Sequence, residues 1–216
     1  MNTLIVLIRK ELKVEFRSLQ GIVSSALLSF MILMTFKFSM FLDSNFEGTG
    51  VLWSVILLTG LGLITHISTR ESERGTFELL KLSSITRYQL FLGRMAGSLL
   101  LLWILSTIIT ILYVILFENQ FGNNLSLAYL VVLVGCIGIA AVGTLAASTA
   151  TPLHGGWMIT SLFSIPILLF TVIEASLRAT DALITNDSEF QLAFMLLILY
   201  NLAFVTGGAW LSELSE

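Results

Sequence analysis

The chain has one cysteine, Cys136, and two prolines, and only 12% of its 216 residues are charged. A single cysteine excludes an intramolecular disulfide, a CxxC redox pair and a cysteine cage for a metal. The scarcity of charge, against roughly 25% in a soluble domain, excludes an ordinary soluble enzyme and a disordered tail. Eleven Lys and Arg stand against fourteen Asp and Glu. No overall basic field gathers polyanions, and nucleic acid is excluded as a partner. The sequence contains no GxxxxGK[ST] phosphate loop, no GxSxG elbow and no HExxH zinc motif. Any ATP that drives it is therefore expected to be hydrolysed by another chain. It shows no convincing internal repeat and no low-complexity segment.

What is present is apolar: 56% of the residues. They gather in runs at about 21–42, 51–69, 95–117, 127–150, 157–177 and 191–211. A bilayer crossing takes about 20 residues, so each run is long enough to span. A soluble core helix can be this apolar once, but not six times in one short chain. The expected fold is all-α: one polytopic membrane domain, 1–216, with six transmembrane helices.

Residues 1–20 read as an interfacial helix rather than a cleavable signal, because the charges follow the first apolar residues instead of preceding them. Leu4, Ile8, Leu12, Phe16 and Leu19 recur at helical spacing, with Arg9, Lys10, Glu11, Lys13, Glu15 and Arg17 between them. Such a helix lies flat with its charges toward headgroups; a solvated first turn of span one is the alternative. Basic residues set orientation. The N-terminal segment has Arg9, Lys10, Lys13 and Arg17, and the 70–94 segment has Arg70, Arg74, Lys81, Arg87 and Arg94. Nine of the eleven thus share one side of a six-span chain, which places both termini in the cytoplasm. Lys37 is expected to snorkel outward.

The 70–94 connection is the one long cytoplasmic segment. Thr86 with Gln89 forms a capping-box pattern, and Ile85 with Leu90 a hydrophobic staple, so span three is expected to begin at Arg87. Upstream, Gly75 breaks the chain and residues 76–83 can form a short helix, with Phe77 and Leu80 on one face and Glu78 in its first turn. Such a helix can dock into a partner groove; an ordinary solvated loop is the alternative.

The stretch Glu73-Arg74-Gly75-Thr76-Phe77-Glu78-Leu79-Leu80, followed by Leu90 to Arg94, resembles the loop of ABC-2-type transporter permeases. Arg9-Lys10-Glu11-Leu12 looks like that family's opening helix. Ser83-Ser84 stands where a proline is common. Thr151 to Glu174, with Gly155-Gly156, Ile165-Pro166 and Phe170, is similar to CcmB, the permease of the cytochrome c maturation system often called haem exporter protein B. Leu162 stands where a second proline belongs. The resemblance implies a permease that acts as a homodimer with a separate CcmA-like ATPase and other cytochrome c maturation membrane proteins in the bacterial inner membrane. It implies ATP bound in the partner and haem as a substrate, with no cofactor assigned to this chain. The ATPase-coupling residues are then Glu73, Arg74, Gly75, Thr76, Phe77, Glu78 and Leu80. An ABC-2 permease for a polysaccharide, lipid or drug, and an intramembrane enzyme, remain the alternatives.

Glu174 and Arg178, spaced i,i+4, are expected at the outer end of span five. They are either a headgroup-level ion pair or an intramembrane functional group. Pro166 is expected to kink that span. Trp53, Trp157 and Trp210 read as interfacial, and Trp103 as packing. Gly135, Gly138, Gly143 and their small neighbours on span four read as a helix-packing stripe, with a substrate path as the alternative. His66 and His154 read as two interface-level histidines rather than one shared site.

Overall fold

The computed structural model describes residues 8–9, 12–15, 20–40, 48–73, 86–117, 121–150, 164–185 and 189–214. Among these residues the ordered elements are helices. They are α1 (Gln20–Met40), α2 (Gly48–Glu73), α3 (Arg87–Leu116), a 3-10 turn (Gly122–Asn124), α4 (Leu125–Ala150), a π-turn (Leu169–Ile173), α5 (Glu174–Thr185) and α6 (Phe190–Leu214). Apolar runs favour this outcome because a helix satisfies its backbone polar groups internally, as a segment in lipid must. Five of the helices, α1, α2, α3, α4 and α6, are long and apolar enough to cross a membrane. The protein is a multi-pass membrane protein.

α4 is the hub: it packs against α2, α3, α5 and α6, while α1 lies on α2 and α3. The core between them is made by Leu52, Ile56, Leu63, Ile64, Leu102, Leu105, Ile109 and Ile139, all buried. Small residues on α4 make the close approach possible. A Cβ on Gly143 would stand 2.7 Å from Cδ1 of Ile64 in α2, and one on Gly138 would collide with Asn201 in α6. The stripe is therefore a packing surface. Several hydroxyls inside the bundle are satisfied locally: Thr59 donates to the Val55 carbonyl (2.6 Å), Thr110 to the Ser106 carbonyl (2.8 Å) and Thr144 to the Ala140 carbonyl (2.7 Å). This back-bonding lets polar residues sit in an apolar interior.

Several expected boundaries move. α2 continues through the charged residues to Glu73, whereas α3 begins at Arg87 as expected, the Thr86 hydroxyl accepting from the Gln89 N–H. The connection between these two spans is shorter than 70–94 at both ends. Its residues 74–85, including Arg74, Gly75, Thr76, Phe77, Glu78 and Leu80, lie outside the described residues, as do Gly155, Gly156, His154 and Trp157 of the 151–163 segment.

The larger difference is in the region expected to form span five. The sequence suggests a break from Arg178, but the helix runs on to Thr185. Residues 164–168 are helical around Pro166, and the ladder widens into the π-turn Leu169–Ile173; residue 162, whose carbonyl the proline leaves without its usual donor, lies outside the described residues. Ala175, Ser176, Ala179, Thr180, Ala182 and Leu183 fill the buried face of α5. Small side chains and hydroxyls can pack closely between helices, and such a helix does not read as an apolar run. Trp53 is also not interfacial. It is fully buried, its indole N–H donating to the Thr180 hydroxyl at 3.3 Å. Trp210 is exposed, and Trp103 packs with its N–H donating to the Leu133 carbonyl at 3.0 Å. The Lys37 ammonium lies over the Phe117 ring, 5.5 Å from its centroid.

Candidate functional site

Two polar clusters stand out, one at the basic end of the bundle and one on the exposed face of α5. The first joins the N-terminal segment to α2. The charge pattern groups Glu15 with a solvated polar face, yet its side chain is only 3% exposed, and it accepts from Arg70 near the end of α2 at 3.4 Å. A Cβ on Gly21 would collide with Oε1 of Glu15 and stand 3.0 Å from Nδ1 of His66. Nδ1 of His66 is buried and makes no hydrogen bond among the described residues. Next to this cluster, buried Arg94 donates to the Ser68 hydroxyl at 3.3 Å, tying the start of α3 to the end of α2. Each side chain sits one helical turn or less from the next on α2, since Ser68 and Arg70 follow His66. The end of α2 is thus fastened to the start of α3 and to Glu15 of the N-terminal segment. Glu73 is the last residue of α2.

The second cluster is the Glu174–Arg178 pair. Arg178 donates to Glu174 at 2.6 Å, and the two side chains are 62% and 48% exposed. Their depth follows from the packing. At one end of the bundle Asn124 donates to the Leu183 carbonyl at 2.9 Å, and Thr49 at the start of α2 donates to Asp181. Further in, a Cβ on Gly138 would meet both Asn201 and Val172. Gly138 is the fourteenth of the 26 residues of α4, and Asn201 the twelfth of the 25 of α6. Val172 therefore lies at the middle of the bundle. Glu174 is two residues on, about 3 Å along the axis at 1.5 Å per residue. Arg178 is four residues nearer the end marked by Thr49 and Asn124, so the pair runs between the middle of the bundle and that end, and the helix continues past it to Thr185.

Pro166, Ile167, Leu169 and Phe170 are exposed on the turns that precede the pair, Phe170 at 77%. At the same depth but inside, the Asn201 amide donates to the Val134 carbonyl at 2.8 Å. This interhelical bond between α6 and α4 gave no sequence signal beyond one amide in an apolar run. Among the described residues no three His, Cys, Asp or Glu gather to hold a metal ion.

Residues 2–210 match the family model of the CcmB protein. Two curated relatives, from two strains of Escherichia coli, are each named a probable multidrug ABC transporter permease, YbhR. Each is 24% identical over 119 residues, covering 55% of this chain and 32% of the relative. The chain thus spans about a third of the length of the curated relatives it matches. No solved structure matches.

Proposed function

The chain belongs to the CcmB family, and from that premise we propose that it is the membrane permease subunit of an ATP-driven ABC transporter complex acting in haem delivery or export for c-type cytochrome biogenesis. In this reading it has six spans, the fifth completed by residues 157–163, and both termini in the cytoplasm of a bacterium whose inner membrane holds it. Two copies join two CcmA-like ATPase subunits and other cytochrome c maturation membrane proteins.

The observation that carries the proposal is the family match over 2–210, seconded by relatives named as ABC transporter permeases. The basic end of the bundle supports it physically. Energy from a separate ATPase enters through a contact, and the 74–85 segment is held between two fastened helix ends there. A displacement of that segment is then passed to α2 through Arg70 and to α3 through Arg94. Phe77 and Leu80 serve as anchors in a partner groove, spaced i,i+3 as helix-in-groove recognition requires; Glu73, Arg74 and Glu78 orient the docking.

The test is co-purification with the cognate ATPase and a cellular assay of holo-cytochrome c. Phe77→Ala is expected to weaken ATPase binding by about 2 kcal/mol, roughly thirtyfold, and Glu78→Lys to uncouple hydrolysis from maturation. Full complex formation and full maturation in both variants would overturn the coupling assignment. The printed name of the relatives favours a second reading, export of a drug-like substrate. Deletion of the gene then changes drug susceptibility and leaves cytochrome c intact.

A further inference from the structure

We infer that Ser176 of α5 and Asn201 of α6 hold an ordered water molecule between them, against the glycine face of α4 near the middle of the bundle. The site does not depend on which substrate the bundle handles.

Two buried polar atoms reach this face without partners. Ser176 is fully buried and Asn201 is 5% exposed. Neither Oγ of Ser176 nor Oδ1 of Asn201 makes a hydrogen bond among the described residues. The serine departs from the hydroxyls around it. Thr171 donates to the Ile167 carbonyl at 2.6 Å and Thr180 to the Ser176 carbonyl at 2.9 Å, each one turn back. One turn back from Ser176 is Val172, inside the π-turn, and the corresponding bond does not form. The Asn201 amide is fixed in orientation: its NH2 donates to the Val134 carbonyl, and its oxygen faces Gly138. A polar atom buried dry forfeits the hydrogen bonds it had in water, so two of them at one place call for a shared partner.

Glycines bring the two atoms together. The position a Cβ would take on Gly135 is 3.0 Å from Oγ of Ser176, and the one on Gly138 touches Oδ1 of Asn201. Residues three apart share a helix face, with Cβ positions about 5–6 Å from each other. One water spans such a gap, lying about 2.8 Å from each oxygen. Its chemistry fits the pair. The Asn201 oxygen only accepts, and the Ser176 hydroxyl donates or accepts. A water that accepts from the hydroxyl and donates to the amide oxygen satisfies both. A buried water makes about three bonds; the backbone of the widened turn at Val172, whose side chain also rests on Gly138, offers the third. The Trp53 ring closes the site over Gly135, and its N–H is engaged by Thr180 and does not compete. Two oxygens are too few for a calcium or magnesium ion, and the walls at both glycines leave no room for a larger ligand.

The experiment is thermal unfolding of the full chain in lipid nanodiscs, run as a double-variant cycle. Ser176→Ala removes one anchor of the water and should lower the midpoint by about 2–4 °C, the shift for one hydrogen bond in a chain of this size. A hydroxyl buried dry makes the same substitution neutral or stabilising, and that result overturns the site. Asn201→Leu combined with Ser176→Ala should lower the midpoint by less than the sum of the two single shifts, because either variant alone already releases the water. Additive shifts overturn the site as well. A density map of the reconstituted protein supplies the direct reading. It should show a solvent peak within hydrogen-bond distance of both Oγ of Ser176 and Oδ1 of Asn201. A hydroxyl donating straight to the amide oxygen, with no peak between them, overturns the assignment even where the two variants are coupled.

Discussion

The six-membered ring of Trp53 lies against Gly135, so that a Cβ at that glycine would stand 2.5 Å from Cη2 of the indole. The ring cannot easily yield, because its N–H is tied to Thr180 on α5. Three helices, α2, α4 and α5, therefore meet at one point that only a glycine permits. Gly135→Ala should lower stability by about 1–3 kcal/mol through overpacking. Gly143→Ala should cost less, because its neighbours are the mobile ends of Ile64 and Leu61; Gly143→Leu exceeds what they can yield and should impair folding or assembly. Thermal unfolding in detergent ranks the three, and a Gly143→Ala loss equal to that of Gly135→Ala would contradict the ring argument.

Asn201 holds α6 to α4 through the Val134 carbonyl. Asn201→Leu should cost about 0.6–2 kcal/mol, the range of interhelical bonds in membranes. Asn201→Asp should be worse than Leu, because it replaces the donor with a carboxylate facing a carbonyl at mid-depth. Stability in the order Asn, Leu, Asp is the expected outcome; Asp above Leu would show that the amide bond does not form.

The Glu15–Arg70 pair predicts a coupling between the N-terminal segment and α2. Its exposure, 3% for Glu15 and 21% for Arg70, places it between surface and buried pairs, so Glu15→Ala should cost about 1–3 kcal/mol. The double variant Glu15→Ala with Arg70→Ala should cost less than the sum of the singles. Strict additivity would mean that the two side chains act independently. Gly21→Ala should mimic Glu15→Ala by displacing the carboxylate.

Topology is tested by single cysteines. Those at Asn45, Asn123 and Asn186 should label from outside the cell, and those at Ser72 and Ser84 should not. External labelling at Ser72 would break the six-span arrangement and, with it, the cytoplasmic placement of the coupling segment.

Much of the fold was legible in the sequence because lipid imposes a one-dimensional rule: a long apolar run becomes a helix whatever surrounds it. The five long helices and the Thr86 cap follow from runs and local spacing. So does the close-packing role of Gly135, Gly138 and Gly143, since a small side chain admits a neighbour regardless of which neighbour arrives. Family membership was legible from residues 73–80 and 151–174, although most of those positions fall outside the described residues.

What the tertiary structure alone decided is where polar groups lie and what they meet. The end of the helix expected as span five was misplaced because Ala, Ser and Thr on α5 are buried by packing, not by hydropathy, so no apolar run marks them. The longer helix places Glu174 and Arg178 within it rather than at its end. Trp53 reads as interfacial by its place near a helix start, but Gly135 opens a slot for it on another helix 82 positions away. Glu15 belongs to the solvated face by its spacing, but Gly21 leaves room for its carboxylate beside His66 and Arg70. In each case a sequence-distant partner, admitted by a glycine or a small side chain, outweighs local hydropathy, because burial energy depends on what a side chain touches once the helices have met.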